Sequence, residues 1–196
     1  PLGEGKAYFR QLAIFDDKFL PQFERIAADI KAQGAMPIQQ ILHAGRYGGI
    51  DLGYCIQPSD LPQTLPHFRP PKVMTKEEIR DCVRQHAEAA KRAIRAGFDG
   101  TEVTSFMGYL LANFNSRFTN QRADEYGGSI ENRGRFMREL IDGIKQATPG
   151  NPLVVRLLRV LVNSSLRSAE RVVVIGETMQ HRVEEKGVDP GRIRMI

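Results

Sequence analysis

Tryptophan is absent from this chain of 196 residues, and cysteine occurs only twice, at Cys55 and Cys82. The two thiols lie far apart and form no CxxC pair, which excludes a disulfide-stapled miniature domain and a thiolate metal centre of familiar spacing. Reduced, structural thiols are expected, and no metal. No apolar run approaches the ~20 residues that a membrane-spanning helix requires, and no basic-then-apolar leader opens the sequence. The expectation is a soluble, cytoplasmic protein with no membrane partner. Charge of one sign is also in short supply, since 28 Lys and Arg oppose 23 Asp and Glu for a net +5. Arg156, Arg159, Arg167 and Arg171 form the densest basic stretch, with no aromatic residues interleaved, so a stacking groove for nucleic acid is not expected. P-loop, GxGxxG, HExxH and GxSxG patterns are all missing, as is any internal repeat that would point to a solenoid.

What is present suits a folded domain. Apolar residues make up 41% and charged ones 26%, enough for one core or two small ones and too apolar for a disordered chain. Three amphipathic segments read as helices. The first covers about residues 21–32, with Phe23, Ile26, Ala27 and Ile30 on one face and Gly34 as a stop signal. The second starts after Thr75, where Glu78 completes a capping box; it carries Ile79, Val83, Ala87, Ala90 and Ile94 at helical spacing and ends at Gly97. The third covers about residues 129–148, with Phe136, Met137, Leu140, Ile141 and Ile144 on its buried stripe. Residues 36–42, 100–104, 153–157 and 172–175 are apolar runs too short for helices and read as strands. Strands alternating with helices imply parallel pairing, because each helix provides the crossover. The expected class is α/β.

Residues 43–74 are rich in Pro and Gly, including Pro58, Pro62, Pro66, Pro70 and Pro71. They read as a long loop leaving the carboxyl end of the first strand, where α/β proteins put their sites. Candidate functional residues gather at strand ends. Gln40 and His43 close the first strand, Tyr109 follows the second, and Arg156 sits inside the third. An Arg in an apolar strand needs an anion or a strong acceptor, supplied either by a ligand or by a buried salt bridge. The Gln40 amide can read the edge of a heterocycle or satisfy backbone groups. His43 is either structural or catalytic. Tyr109 is either half core and half hydrogen bond, or a proton donor to a substrate.

Four strings narrow these alternatives: HAGR (43–46), GFDGTEV (97–103), GYLLANF (108–114) and TNQRADEYGGSIENRGRF (119–136). They resemble the Old Yellow Enzyme family of NADH:flavin oxidoreductases, which includes 2,4-dienoyl-CoA reductase-like and trimethylamine dehydrogenase-like enzymes. The resemblance covers about residues 5–157. It implies a (β/α)8 TIM barrel with FMN at its carboxyl-terminal mouth, present here as a partial barrel of about strands three to five over residues 1–157. Gln40 matches the family glutamine that hydrogen-bonds the flavin pyrimidine, and Arg156 the arginine beside flavin N1 and O2. Tyr109 matches the tyrosine that protonates the substrate carbon opposite hydride delivery. NAD(P)H would reduce FMN, which would then reduce an activated C=C bond of enoate or thioester type in a small-molecule substrate. His43, Thr104 and Met107 are expected on the substrate, and the assembly admits a homo-oligomer. Thr104 and Met107 stand where many members carry a His/His or His/Asn pair that holds the substrate carbonyl. Dienoyl-CoA reductase-like members also lack that pair, which favours a thioester or another large activated substrate.

Residues 158–196 read differently. From about residue 161 they resemble GT-B-fold glycosyltransferases, with a strand at 172–175, a helix at about 177–186, a Gly-Val-Asp-Pro turn and a strand from Arg192. The expectation is a strand–helix–strand segment of different origin, carrying no sugar-nucleotide site. The opening on Pro1 leads to the expectation of a start further upstream. By the resemblance, the first two barrel strands would precede Pro1, and the strands that cradle the flavin phosphate would follow residue 157. The rival reading is a non-catalytic truncated or chimeric α/β protein whose open sheet edges pair or aggregate.

Overall fold

Pro21 sits in the first turn of α1 (Leu20–Ala32), where its missing N–H costs no hydrogen bond and its fixed φ suits the helix. Leu20, Phe23 and Ala27 form the buried face, and Gly34, at φ 75°, carries the chain out of the helix. The computed structural model describes residues 3–62, 69–105 and 108–150, together with 172–174, 184, 189 and 193–195. They belong to two units, Pro1–Asn151 and Pro152–Ile196.

In the first unit α1 is followed by β1 (Ile38–Ile41), β2 (Cys55–Gln57), β3 (Pro71–Val73), α2 (Lys76–Arg95) and β4 (Gly100–Val103). Three further helices complete it: α3 (Leu110–Asn115), α4 (Ile130–Arg133) and α5 (Arg135–Ala147). β1 pairs in parallel with β4, Ile38 opposite Gly100 and Ile41 opposite Val103. Helix α2 makes the crossover that such a pair requires. Its capping box is formed: Thr75 Oγ1 accepts from the Glu78 N–H at 3.1 Å, and Glu78 Oε2 accepts from the Thr75 N–H at 2.9 Å. Gly97, at φ 89°, then turns the chain toward β4.

Two apolar clusters hold these elements together. Phe23 and Ala27 of α1 pack with Ile41, Phe98 and the small residues Ala89, Ala90 and Ala93, which let α2 lie close to the sheet. Ile79 and Cys82 of α2 pack instead with Leu110 and Phe114 of α3 and with Phe136 and Leu140 of α5. The Phe114 and Phe136 rings are 4.6 Å apart between centroids. Burying side chains of this size contributes roughly 1.5–3 kcal/mol each.

Three expectations change. Residues 43–74 are not a plain loop, because β2 and β3 pair in parallel with Cys55 opposite Pro71. Pro71 begins its strand, a position that tolerates the missing donor, and strands of three residues are too short to show a period. The single helix expected over 129–148 divides at Gly134. Ser129 Oγ caps the first piece by accepting from the Asn132 N–H at 3.2 Å, and glycine, a poor helix former, marks the joint. Helix α3 is an addition, since its six residues fall short of a recognisable repeat. The strand expected at 153–157 lies outside the described residues.

In the second unit β5 (Val172–Val174) pairs in parallel with β6 (Ile193–Met195), Val172 opposite Ile193. These are the strands expected from residues 172 and 192. Neither cysteine is in a disulfide, and both are buried. Among the described residues no helix is long and apolar enough to cross a membrane.

Candidate active site

Strand alternation divides the side chains of β1 and β4 between two faces. Ile41 and Val103 pack into the helix-side clusters, so Gln40 and Glu102, which are register partners, project from the opposite face. There Gln40 Nε2 donates to Glu102 Oε1 at 3.4 Å. A carboxylate only accepts, so this contact turns the amide nitrogen toward Glu102 and leaves the Gln40 carbonyl oxygen available to a donor. Leu42 continues the same face and packs with Ala7, Ala44, Tyr47 and Tyr109.

The segments beyond the two strands are tied across their carboxyl ends. The Thr104 N–H donates to Ile41 O at 3.1 Å, and the Leu110 N–H donates to His43 O at 3.1 Å. Gly45, at φ 57°, makes the close approach possible. A Cβ there would lie 2.8 Å from both Cα and N of Leu110. Tyr109 is thereby brought to the Gln40 end of the sheet, 7% exposed, with its ring edge-on to Tyr47 at 6.2 Å. Burial and a hydrogen bond with Tyr8 push its phenol above the ordinary tyrosine range, so it stays protonated at neutral pH.

Thr104 lies at the same end. It is 3% exposed, and among the described residues its Oγ1 has no hydrogen-bond partner. A buried hydroxyl left unpaired costs about 1–3 kcal/mol, a cost that a bound acceptor would remove.

His43 goes elsewhere. The family resemblance puts it at the substrate, but its ring is 4% exposed and stacks on His86 of α2. His43 Nδ1 accepts from the Gly45 N–H at 3.1 Å. The correction follows from pleating, because His43 shares the helix-facing side with Ile41. Met107 and Arg156 lie outside the described residues. Tyr8, Tyr47, His86 and Glu102 were not singled out from sequence. Of these, Glu102 was findable, because pairing 38–41 with 100–103 sets it beside Gln40. Among the described residues no group of three or more His, Cys, Asp or Glu is placed to hold a metal ion.

Comparison with known proteins decides the lineage. The family model described as NADH:flavin oxidoreductase / NADH oxidase matches residues 2–186. The chain belongs to this family. Its members use FMN with NAD(P)H as reductant. The match reaches past residue 158 and takes in most of the segment for which a different, glycosyltransferase-like origin was expected, a resemblance that no comparison shows. An NADPH dehydrogenase of Geobacillus sp. (strain WCH70) is 40% identical over 154 residues, covering 79% of this chain and 44% of that protein. The chain therefore spans under half of this relative's length. Among solved structures, a 2-naphthoyl-CoA reductase in complex with 2-naphthoyl-CoA superimposes with a TM-score of 0.73 at 35% identity, over 76% of this chain and 25% of that one. An old yellow enzyme homologue from Zymomonas mobilis gives 0.66 at 25% identity, over 74% and 44%. These neighbours are TIM barrels, a fold in which the strand faces turned away from the helices line the barrel interior. The available Gln40 carbonyl and the unpartnered Thr104 hydroxyl fit a flat ligand with polar edges, as the FMN ring and an activated substrate would present.

Proposed function

We propose that this chain forms the central part of an FMN-dependent NAD(P)H oxidoreductase that reduces a carbonyl-activated C=C bond, with a thioester as the favoured substrate class. Tyr109 carries this reading. Its protonated phenol is tied, through the Leu110–His43 hydrogen bond, to the carboxyl end of the strand that bears Gln40. FMN, when bound, supplies to the substrate the hydride it takes from NAD(P)H. Gln40 holds the pyrimidine edge, with its carbonyl oxygen turned outward by Glu102. Tyr109 Oη gives its proton to the substrate carbon that does not receive hydride, a contribution of about 10²–10⁴-fold for general acids of this kind. Thr104 Oγ1 donates to the substrate oxygen. A single hydroxyl polarises a carbonyl less than a pair of imidazoles, which disfavours simple enones. The likeness to a 2-naphthoyl-CoA reductase supports the thioester.

Arg156 beside flavin N1 and Met107 at the substrate belong to the proposal through the family resemblance. We assign residues 1–157 to the barrel and 158–196 to a separate strand-containing segment. The parallel β5–β6 pair suits the glycosyltransferase resemblance and a continuing βα barrel alike, since parallel strands build both. A cytoplasmic site suits an enzyme that draws on NAD(P)H and keeps two thiols reduced. The test exchanges the 154 matched residues into the Geobacillus NADPH dehydrogenase and assays NADPH-driven reduction of an enoyl thioester and of a cyclic enone. The flavin-loaded hybrid should prefer the thioester and lose about 10²-fold or more in rate on Tyr109→Phe. A hybrid that reduces substrate equally well as Tyr109→Phe overturns the assignment.

A further inference from the structure

Two histidines meet on the helix side of the sheet, beneath the site. His86 projects from α2 and is 1% exposed. Its ring stacks on that of His43, with centroids 6.3 Å apart and 15° between the planes. The Nδ1 atoms of the two rings do opposite things. His86 Nδ1 is 2.8 Å from the carbonyl oxygen of Cys82, which can only accept, so this nitrogen carries the ring hydrogen. His43 Nδ1 accepts from the Gly45 N–H, so its hydrogen is on Nε2. The main chain of His43 takes the Leu110 N–H, next to Tyr109.

We propose that His86 is a positioning residue for Tyr109, acting through His43. The His86 ring, anchored on Cys82 O, packs against the His43 ring and holds it in the orientation in which Nδ1 accepts the Gly45 amide. The 43–46 turn stays seated against Leu110, and Tyr109 stays at the mouth of the site. The Cys82 carbonyl and the Gly45 N–H both suit neutral rings. The Cys82 thiol lies 3.6 Å from His86 Nδ1 and is itself kept protonated by burial. Proton uptake on His43 Nδ1 would set two donors, that N–H and the Gly45 N–H, against each other. The proposal rests on the reading of Tyr109 as the proton donor for its purpose, but not for its geometry.

The test needs no flavin. In the unmodified chain at pH 7, long-range ¹H–¹⁵N spectra of the imidazoles should show His43 as the Nε2–H tautomer and His86 as the Nδ1–H tautomer. Any other pair of tautomers overturns the proposal. In His86→Ala, hydrogen exchange at the Gly45 and Leu110 amides should quicken by roughly tenfold relative to Leu140 in α5, whose exchange reports wider opening. His86→Phe, which keeps a flat ring in place, should restore most of that protection. Equal acceleration at Leu140 would show that His86 only fills the core, and would also overturn the proposal. Should His86→Ala fail to fold, the same exchange comparison on His86→Leu, which fills the space without a flat ring, decides instead. Tyr109→Phe leaves both readouts unchanged, so a failed proton-donor assignment in the hybrid enzyme is distinguishable from a failure here.

Discussion

Gly45 lies where three constraints meet: a left-handed φ of 57°, contact with the Leu110 backbone, and the side-chain Oδ1 of Asn113 2.9 Å from any Cβ. Backbone atoms cannot swing aside as a flexible side chain can. Gly45→Ala should therefore cost about 2–3 kcal/mol, read as a lower urea midpoint at unchanged slope. His86 sets a second expectation at this scale. Burial lowers its pKa to about 4 from the ordinary 6.5, and His43 is lowered in the same direction by burial and by its neighbour. Because the folded-state value is depressed, the unfolded chain takes up the proton first as pH falls. The stabilising contribution is full above pH 6.5 and is lost as the pH drops toward 4, amounting to about 3 kcal/mol for His86. Urea unfolding at pH 7 and pH 4.5 should show the loss, and His86→Phe should show a smaller one.

At the scale of elements, α2 connects the two core clusters. Ala89, Ala90 and Ala93 serve one cluster, while Ile79 and Cys82 serve the other. Its start depends on the Thr75–Glu78 capping box, with Lys72 also paired to Glu78. Thr75→Ala removes one acceptor from the first turn and should cost about 1 kcal/mol, seen as a lower thermal midpoint with the helix content of the folded state retained. This helix was legible in the sequence because five apolar positions, a cap and a terminal glycine agree on it. Strands β2 and β3 were not legible, because three residues carry no period and Pro70 and Pro71 read as loop. Helix α3 was hidden for the same reason. The division at Gly134 had a visible marker, but the apolar stripe of α5 concealed it.

At the scale of the whole molecule, the chain covers 44% of the Geobacillus relative. Under the proposed function Gln40 would supply one polar contact to a flavin ring and Arg156 a second. Contacts worth roughly 1–3 kcal/mol each fall short of the about 4–15 kcal/mol of freedom lost on association. The 196-residue polypeptide should therefore leave FMN fluorescence unquenched in a micromolar titration. Stoichiometric quenching would show that these residues, alone or self-associated, build a complete site. It would also dispose of the reading as a non-catalytic truncated or chimeric protein.

The sequence by itself determined the α/β class, the parallel β1–β4 pair with its α2 crossover, and the strings that carry the family. All of these depend on local spacing and on residue types that neighbours a few positions away can interpret. Only the tertiary structure decided which way each strand-end residue faces. Gln40 and His43 are three positions apart, so pleating sends them to opposite sides of the sheet, one to the open face and one to the helices. Which side is open depends on where α1 and α2 pack, and that is set by contacts between residues distant in the chain. Likewise Tyr109 owes its place at the carboxyl end of β1 to the Leu110–His43 hydrogen bond and to a backbone approach that only Gly45 permits.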